Sequence, residues 1–244
     1  MPNYRLLMRE TLAVNQSYTL SKNHSQHLCK VLRLKEGESL FVFNADSGEF
    51  SATIMEASPK ATVIETHHLI YPAPKKPACY LHVAQVISRG DRMDYSIQKS
   101  TELGVHEITP IISERCGVHL SNERMKNRMD HWEGVIESAV QQCGRIDGVR
   151  LNHPIHLEKW LDQKKEGLCL AALVSSQENP IKSLQFAPSH VLVLIGSEGG
   201  FSLEEELLMK EKGWLAWQLG PRVLRTETAA VVALTLLQDH FGDF

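Results

Sequence analysis

A small β-rich domain followed by a mostly parallel α/β domain is the architecture this sequence predicts. Three observations carry the prediction. Short apolar runs broken by turn residues fill the first seventy or so positions, the texture of strands. Tyr71-Pro-Ala-Pro-Lys-Lys-Pro77 then sets prolines at 72, 74 and 77, a stretch that can neither continue a helix nor sit inside a sheet. Beyond it, apolar strand-length runs alternate with helix-length segments, as in a parallel α/β sheet. The domains are therefore residues 1–72 and 73–244. A chain of 244 residues, 43% hydrophobic and 23% charged, buries a full core without difficulty.

In chain order, an opening strand near Tyr4–Met8 precedes Ser21–Arg33, where Leu28, Val31 and Leu32 recur at helical spacing behind polar capping candidates. Ser39–Asn44 and Phe50–Met55, joined through Asp46-Ser47-Gly48, read as a hairpin. Val63–Thr66 is another strand, and together these make a small β-barrel with one short helix. The second domain follows as Tyr80–Ile87, a helix over Asp91–Leu103, Ile108–Ile112, a helix through Trp132–Gln142, Leu168–Val174, Val191–Ile195, a helix from Leu203, Leu215–Leu219 and a last helix to Phe241. Trp132, Val135, Ile136, Ala139, Val140 and Cys143 form the stripe of a half-buried helix. Ala229–Ala233, Leu234, Leu236 and Leu237 are apolar nearly all round, so the last helix is buried inside the domain or against another subunit.

Composition narrows the function classes. The five cysteines are far apart, odd in number and form no C-x-x-C, which suits free thiols in a reducing compartment. The histidines offer no H-E-x-x-H, and no metal site is expected. Met1–Arg5 lacks the apolar core of a leader, and no apolar run approaches a membrane span, so the protein is expected in the cytoplasm. A net charge of −3 excludes indiscriminate electrostatic binding of nucleic acid; any such partner must meet a local basic surface.

Chemistry concentrates in two loops. Val191-Leu-Val-Leu-Ile-Gly-Ser-Glu-Gly-Gly-Phe-Ser-Leu-Glu-Glu-Glu206 runs from an apolar strand through glycines into Ser202 and Glu205, a capping box that starts a helix. Such a loop either brings backbone N–H groups against a ligand or serves as a capped turn. It carries neither G-K-[ST] nor G-x-G-x-x-G, and Glu204, Glu205 and Glu206 occupy the helix start a phosphate would want. A neutral or cationic ligand fits better. Leu219-Gly-Pro-Arg-Val-Leu-Arg-Thr-Glu-Thr228 follows one strand later. Gly220-Pro221 forces a turn, Thr226 is positioned to cap the final helix, and Arg222 and Arg225 grip a carboxylate or phosphate or else pair internally with Glu227 or Glu198.

Gln85–Asp94, Gln98–Gly104, Ser113–Cys116, Gln142–Arg145, Ile195–Phe201, Leu219–Thr228 and, in the small domain, His27–Arg33 together resemble the RsmE family of SPOUT-class enzymes, which methylate uridine N3 in 16S ribosomal RNA. The likeness spans essentially the whole chain. It departs at Ser197, where the family usually carries proline; a small residue is kept in a less rigid loop.

The resemblance implies a PUA-like barrel, an α/β methyltransferase domain with a C-terminal trefoil knot, a homodimer, and S-adenosylmethionine as cofactor. It places Leu173, Ile195, Gly196, Glu198, Gly199, Leu219, Gly220, Leu224 and Thr228 on the cofactor; Arg225 is expected to stabilise the developing charge on the uracil or to grip its phosphate, and Glu198 or Glu227 to act as base or to orient Arg225 or the cofactor. For RNA it points to Arg9, Arg33, Arg92, Lys99 and Arg145, while Arg5 and Lys30 read as solvated surface charges. The readings that compete are methylation of another RNA base, a non-catalytic RNA-binding homologue, and a dinucleotide-binding enzyme of similar α/β texture.

Overall fold

A computed structural model describes residues 4–117, 122–184, 187–242 and 244; Met1–Asn3, part of the N-terminal reading, lie outside them. The chain divides into two compact units. One runs to Lys76 and includes Val140–Gly148; the other is Pro77–Ala139 with Val149–Phe244.

The first unit is one five-stranded mixed sheet of β1 (Arg5–Leu7), β2 (Ser17–Thr19), β3 (Ser39–Asn44), β4 (Gly48–Glu56) and β5 (Val63–Tyr71), ordered β1-β3-β4-β5-β2. Alternation decides its faces. Leu40 and Val42 of β3 stand opposite Ala52 and Phe50 of β4, and all four join Leu6, Ile54 and Ile64 in the core. The helical stretch expected over Ser21–Arg33 is α1 (Lys22–Gln26), capped by Ser21, running on into a π-helical turn, His27–Val31. Its exit at Arg33 has φ +56°, uncommon for a residue with a Cβ.

Arg5 is no surface charge. Its guanidinium donates to Glu49 Oε1 at 2.7 Å, lies 4.2 Å over the Phe43 ring, and reaches the carbonyls of Val140 and Gln141 at 3.4 Å and Arg145 at 3.2 Å. Carbonyls at a helix end lack partners within the helix, and a cation is well placed to satisfy them.

The second unit holds a seven-stranded parallel sheet: β6 (Tyr80–Val86), β7 (Glu107–Ile112), β8 (Arg150–Leu151), β9 (Ile155–His156), β10 (Leu168–Ala172), β11 (His190–Ile195) and β12 (Leu215–Trp217). The order is β12-β10-β11-β6-β7-β8, with β9 also pairing β7. Leu170, Val193, Val83 and Ile108 lie side by side across it and are buried, the near-continuous apolar signature of a sheet covered on both faces. The helices are α2 (Asp91–Glu102), α3 (Asn122–Cys143), α4 (Leu157–Leu161), α5 (Leu203–Glu211) and α6 (Thr226–Phe241). On α6, Ala230, Ala233, Leu234 and Leu237 are buried, and Gln238 Nε2 donates to Leu103 O at 2.9 Å, joining α6 to the end of α2. Among the described residues no helix is long and apolar enough to cross a membrane.

Candidate active site

β10, β11 and β12 end side by side, and their carboxyl ends open into a cavity of 720 Å³, the edge where open parallel sheets hold ligands. Two loops wall it. In the first, Gly200 N donates to Ser197 O at 3.0 Å to close a tight turn, with Gly200 at φ +64°, a conformation glycine adopts without strain. A Cβ on Gly196 would come within 3.1 Å of Phe201 Cε2, so glycine there lets the backbone pack closely. The loop is tied to the segment after β7. Ser197 Oγ donates to Arg115 O at 3.2 Å, and Arg115 Nη1 to Gly199 O at 3.2 Å. The capping box is present. Ser202 Oγ accepts from Glu205 N and Glu205 Oε2 from Ser202 N, while Glu205 Oε1 accepts from Glu114 N at 2.8 Å. Glu205 is therefore a buried clamp, and Glu206 faces the cavity, accepting from Ser175 Oγ at 2.8 Å.

The second loop is fastened to the first by one hydroxyl. Thr226 does not cap α6; Arg225 occupies the cap position, without a side-chain bond. Thr226 Oγ1 instead donates to Gly196 O at 2.6 Å and accepts from Gln85 Nε2 at 2.9 Å, and Gln85 Oε1 accepts from Ser96 Oγ at 2.8 Å. All three polar side chains are buried, so this chain fixes α2, β6, α6 and the glycine loop in one arrangement.

At the cavity wall, Arg92 Nη1 pairs with Glu198 Oε1 at 2.5 Å, the two side chains 44% and 34% exposed. Partial burial alone would raise the Glu198 carboxyl, but its own backbone N–H and the Arg92 guanidinium hold it below the usual carboxylate range. Arg222 and Arg225 also line the cavity, exposed, and neither forms an ion pair among the described residues. Glu198 thus takes its partner from α2, not from the arginines of the second loop.

Of the residues assigned to the cofactor, Leu173, Ile195, Gly196, Glu198, Gly199, Leu219, Gly220 and Leu224 line the cavity, as does Arg225. Thr228 does not; it lies exposed on α6. Glu227 is not in the lining either, and its Oε2 is enclosed without a hydrogen-bond partner among the described residues. The basic residues assigned to RNA fall in both units. Arg9 and Arg33 are exposed in the first, where the Arg145 side chain is only 10% exposed and binds Asp147 through Nε and Nη2. In the second, Arg92 is the partner of Glu198 and Lys99 bonds both oxygens of Glu102. No local sequence pattern marks Gln85, Ser96 and Thr226 for this tethering role, although a glutamine near the end of an apolar strand is an available signal, because a buried amide needs partners.

A parallel sheet whose carboxyl edge holds a loop-walled cavity, with a separate small β unit, defines an α/β enzyme with an accessory domain. The family profile described as RNA methyltransferase domain matches residues 74–238, and that described as RNA methyltransferase PUA domain matches residues 20–66. Ribosomal RNA small subunit methyltransferase E of Buchnera aphidicola (Schizaphis graminum) is 35% identical over 98% of this chain and 97% of its own length. The chain belongs to the RsmE family of RNA methyltransferases. Among solved structures, ribosomal RNA small subunit methyltransferase E from Neisseria gonorrhoeae bound to S-adenosylmethionine superposes with a TM-score of 0.89 at 30% identity over 99% of both chains. A Legionella pneumophila protein in complex with the bound cofactor SAM does so at 0.94 with 38% identity over the full length of both.

Proposed function

We propose that the protein transfers a methyl group from S-adenosylmethionine to N3 of a uridine in 16S ribosomal RNA. The observation that carries the reading is the 720 Å³ cavity between two loops held together by Thr226. Its residues fit the cofactor. Leu173, Ile195, Leu219 and Leu224 offer apolar walls to an adenosine, Gly196 and Gly220 bring backbone to the lining, and Glu198 and Glu206 offer carboxylates to the cofactor's cationic groups. Relatives of the same family that hold S-adenosylmethionine support the assignment.

The bound cofactor supplies an electrophilic methyl on a cationic sulfonium. The protein's part is to orient the uridine, remove its N3 proton and stabilise the charge left on the uracil carbonyls. Arg225, cavity-lining and without an internal ion pair, takes the carbonyl charge. Glu198 is the carboxylate on the cavity wall. Kept ionised by its surroundings, it accepts the proton while Arg92 fixes its direction. Glu227 stands outside the lining. Arg9 and Arg33 reach the RNA from the PUA unit, and Arg92, Lys99 and Arg145 are more constrained by the carboxylates they already hold. The working form is a cytoplasmic homodimer joined through α6, its C-terminal segment threaded as a trefoil knot.

Calorimetry and methyl-transfer assays test the site. Saturable binding of S-adenosylmethionine is expected in the wild type and in Arg225→Ala, with turnover in the variant down about a hundredfold or more, as for loss of one oxyanion-stabilising donor. Binding of NAD or ATP alone, or unchanged turnover in the variant, contradicts the assignment.

A further inference from the structure

The sheet has a second cavity at its other edge. The first residues of β6, β7, β8 and β11 surround a space of 440 Å³ in the second unit, lined also by Trp160 and the segment 163–166. The amino-terminal edge of a parallel sheet ordinarily serves packing, so a cavity rich in ionisable groups there calls for a use.

Its inner wall is a closed network. Glu107 Oε1 accepts from Asn152 Nδ2 at 2.5 Å and Oε2 from Tyr80 OH at 3.1 Å. Asn152 Nδ2 also reaches Thr109 Oγ1 at 2.7 Å, and that oxygen lies 2.7 Å from His82 Nε2. Burial pushes His82 down to about 4, so its ring is neutral at ordinary pH. Burial works against ionisation of Glu107, but the hydrogen bonds from Asn152 and Tyr80 and the nearby Arg150 charge outweigh it and hold the carboxyl below its usual range. The one carboxylate on the inner wall is therefore ionised and already hydrogen-bonded.

The cations are not. Arg150, Lys164 and Lys165 line the cavity, and none forms an ion pair with a carboxylate among the described residues. Lys165 is the most telling. Half-buried, it lies 4.1 Å over the Trp160 ring and donates to Gln163 Oε1 at 3.1 Å. Burial lowers its pKa despite the pull of Cys169 and Glu107, as expected of a desolvated ammonium without a paired anion. The exposed Glu166 is the only other carboxylate in the lining. Three cations lining one cavity, Arg150 and Lys164 exposed and Lys165 partly desolvated, suit a compact multivalent anion.

We propose that this cavity is a phosphate-binding site, built by Lys165, Arg150 and Lys164, for the phosphate of a small molecule or of an RNA backbone. It goes beyond the methyl-transfer reading and does not depend on it.

Titration of the full chain at low ionic strength with inorganic phosphate, pyrophosphate and a short single-stranded RNA tests the site. Saturable binding of phosphate or pyrophosphate is expected, weakened about tenfold by Lys165→Met and by Arg150→Ala, each removing one charge-assisted contact. S-adenosylmethionine binding stays unchanged in both variants, which shows that they are folded and separates this site from the other cavity. An equal loss of RNA affinity, with a salt dependence shallower by about one counterion, assigns the phosphate to RNA. Loss confined to the free anions assigns it to a small phosphorylated ligand. Absence of saturable anion binding, or binding that both variants leave unchanged, overturns the site.

Discussion

One hydroxyl, that of Thr226, fastens the two loops of the carboxyl-edge cavity. By donating to Gly196 O and accepting from Gln85 Nε2 it locks the glycine loop to the helix that follows the second loop. Thr226→Val keeps the shape and removes the bonds, leaving a buried carbonyl and a buried amide proton unpaired. The expected cost is about 2 kcal/mol of stability by denaturant unfolding, with weaker S-adenosylmethionine binding by calorimetry; an unchanged midpoint with unchanged binding contradicts the role. The sequence suggests a cap here because threonine before an apolar run is a local helix-start pattern, whereas the bond formed spans 30 residues. The same distance problem hides the partner of Glu198, which is Arg92, 106 positions away. Ser197 shows the opposite case: where the family usually carries proline, the serine hydroxyl ties the loop to Arg115 O, restoring part of the constraint a ring would give.

At the scale of elements, what is encoded locally is legible. Ser202 and Glu205 mark the start of α5 because a capping box is complete within four residues. β3, β4, β6, β7, β10 and β11 follow from alternation or continuous apolar runs, the second half of α3 from helical spacing, and α2 and α6 as helix-length segments between or after strands. β2, β8, β9 and α4 are too short to carry a period, and their pairing is decided by distant strands. The start of α3 at Asn122 is likewise not visible, since its first two turns are mostly polar; the apolar stripe begins later, around Met129 and Trp132. For α6 the composition leaves two answers open, burial within the domain or against another subunit. One face does pack inside, at Ala230, Leu234 and Leu237, yet Val231 and Val232 are only half-buried and Leu236 is 40% exposed. That remaining apolar face suits a homodimer, for which sedimentation at micromolar concentration is expected to give twice the 27.5 kDa chain mass; a monomer at that concentration contradicts it.

For the molecule as a whole, the division of labour within the second unit's sheet explains how a chain of net charge −3 can serve RNA. Acidic groups are committed locally, as in Glu205 on its helix cap and Glu107 in its network, while cations that form no ion pair among the described residues lie at Arg222 and Arg225 on the carboxyl edge and at Arg150, Lys164 and Lys165 on the amino edge. The α/β class, the small β domain and the two loops that wall the carboxyl-edge cavity are legible from order and spacing, and most of that cavity's lining residues only from the family resemblance. The tether through Gln85 and the amino-edge cavity are not, because both arise where strands far apart in sequence end side by side. The central claim is the reaction itself. Small ribosomal subunits lacking the modification, incubated with the protein and methyl-labelled S-adenosylmethionine and then digested for nucleoside mass spectrometry, should yield one labelled N3-methyluridine per 16S ribosomal RNA. No incorporation, or label in a different nucleoside, would contradict the account.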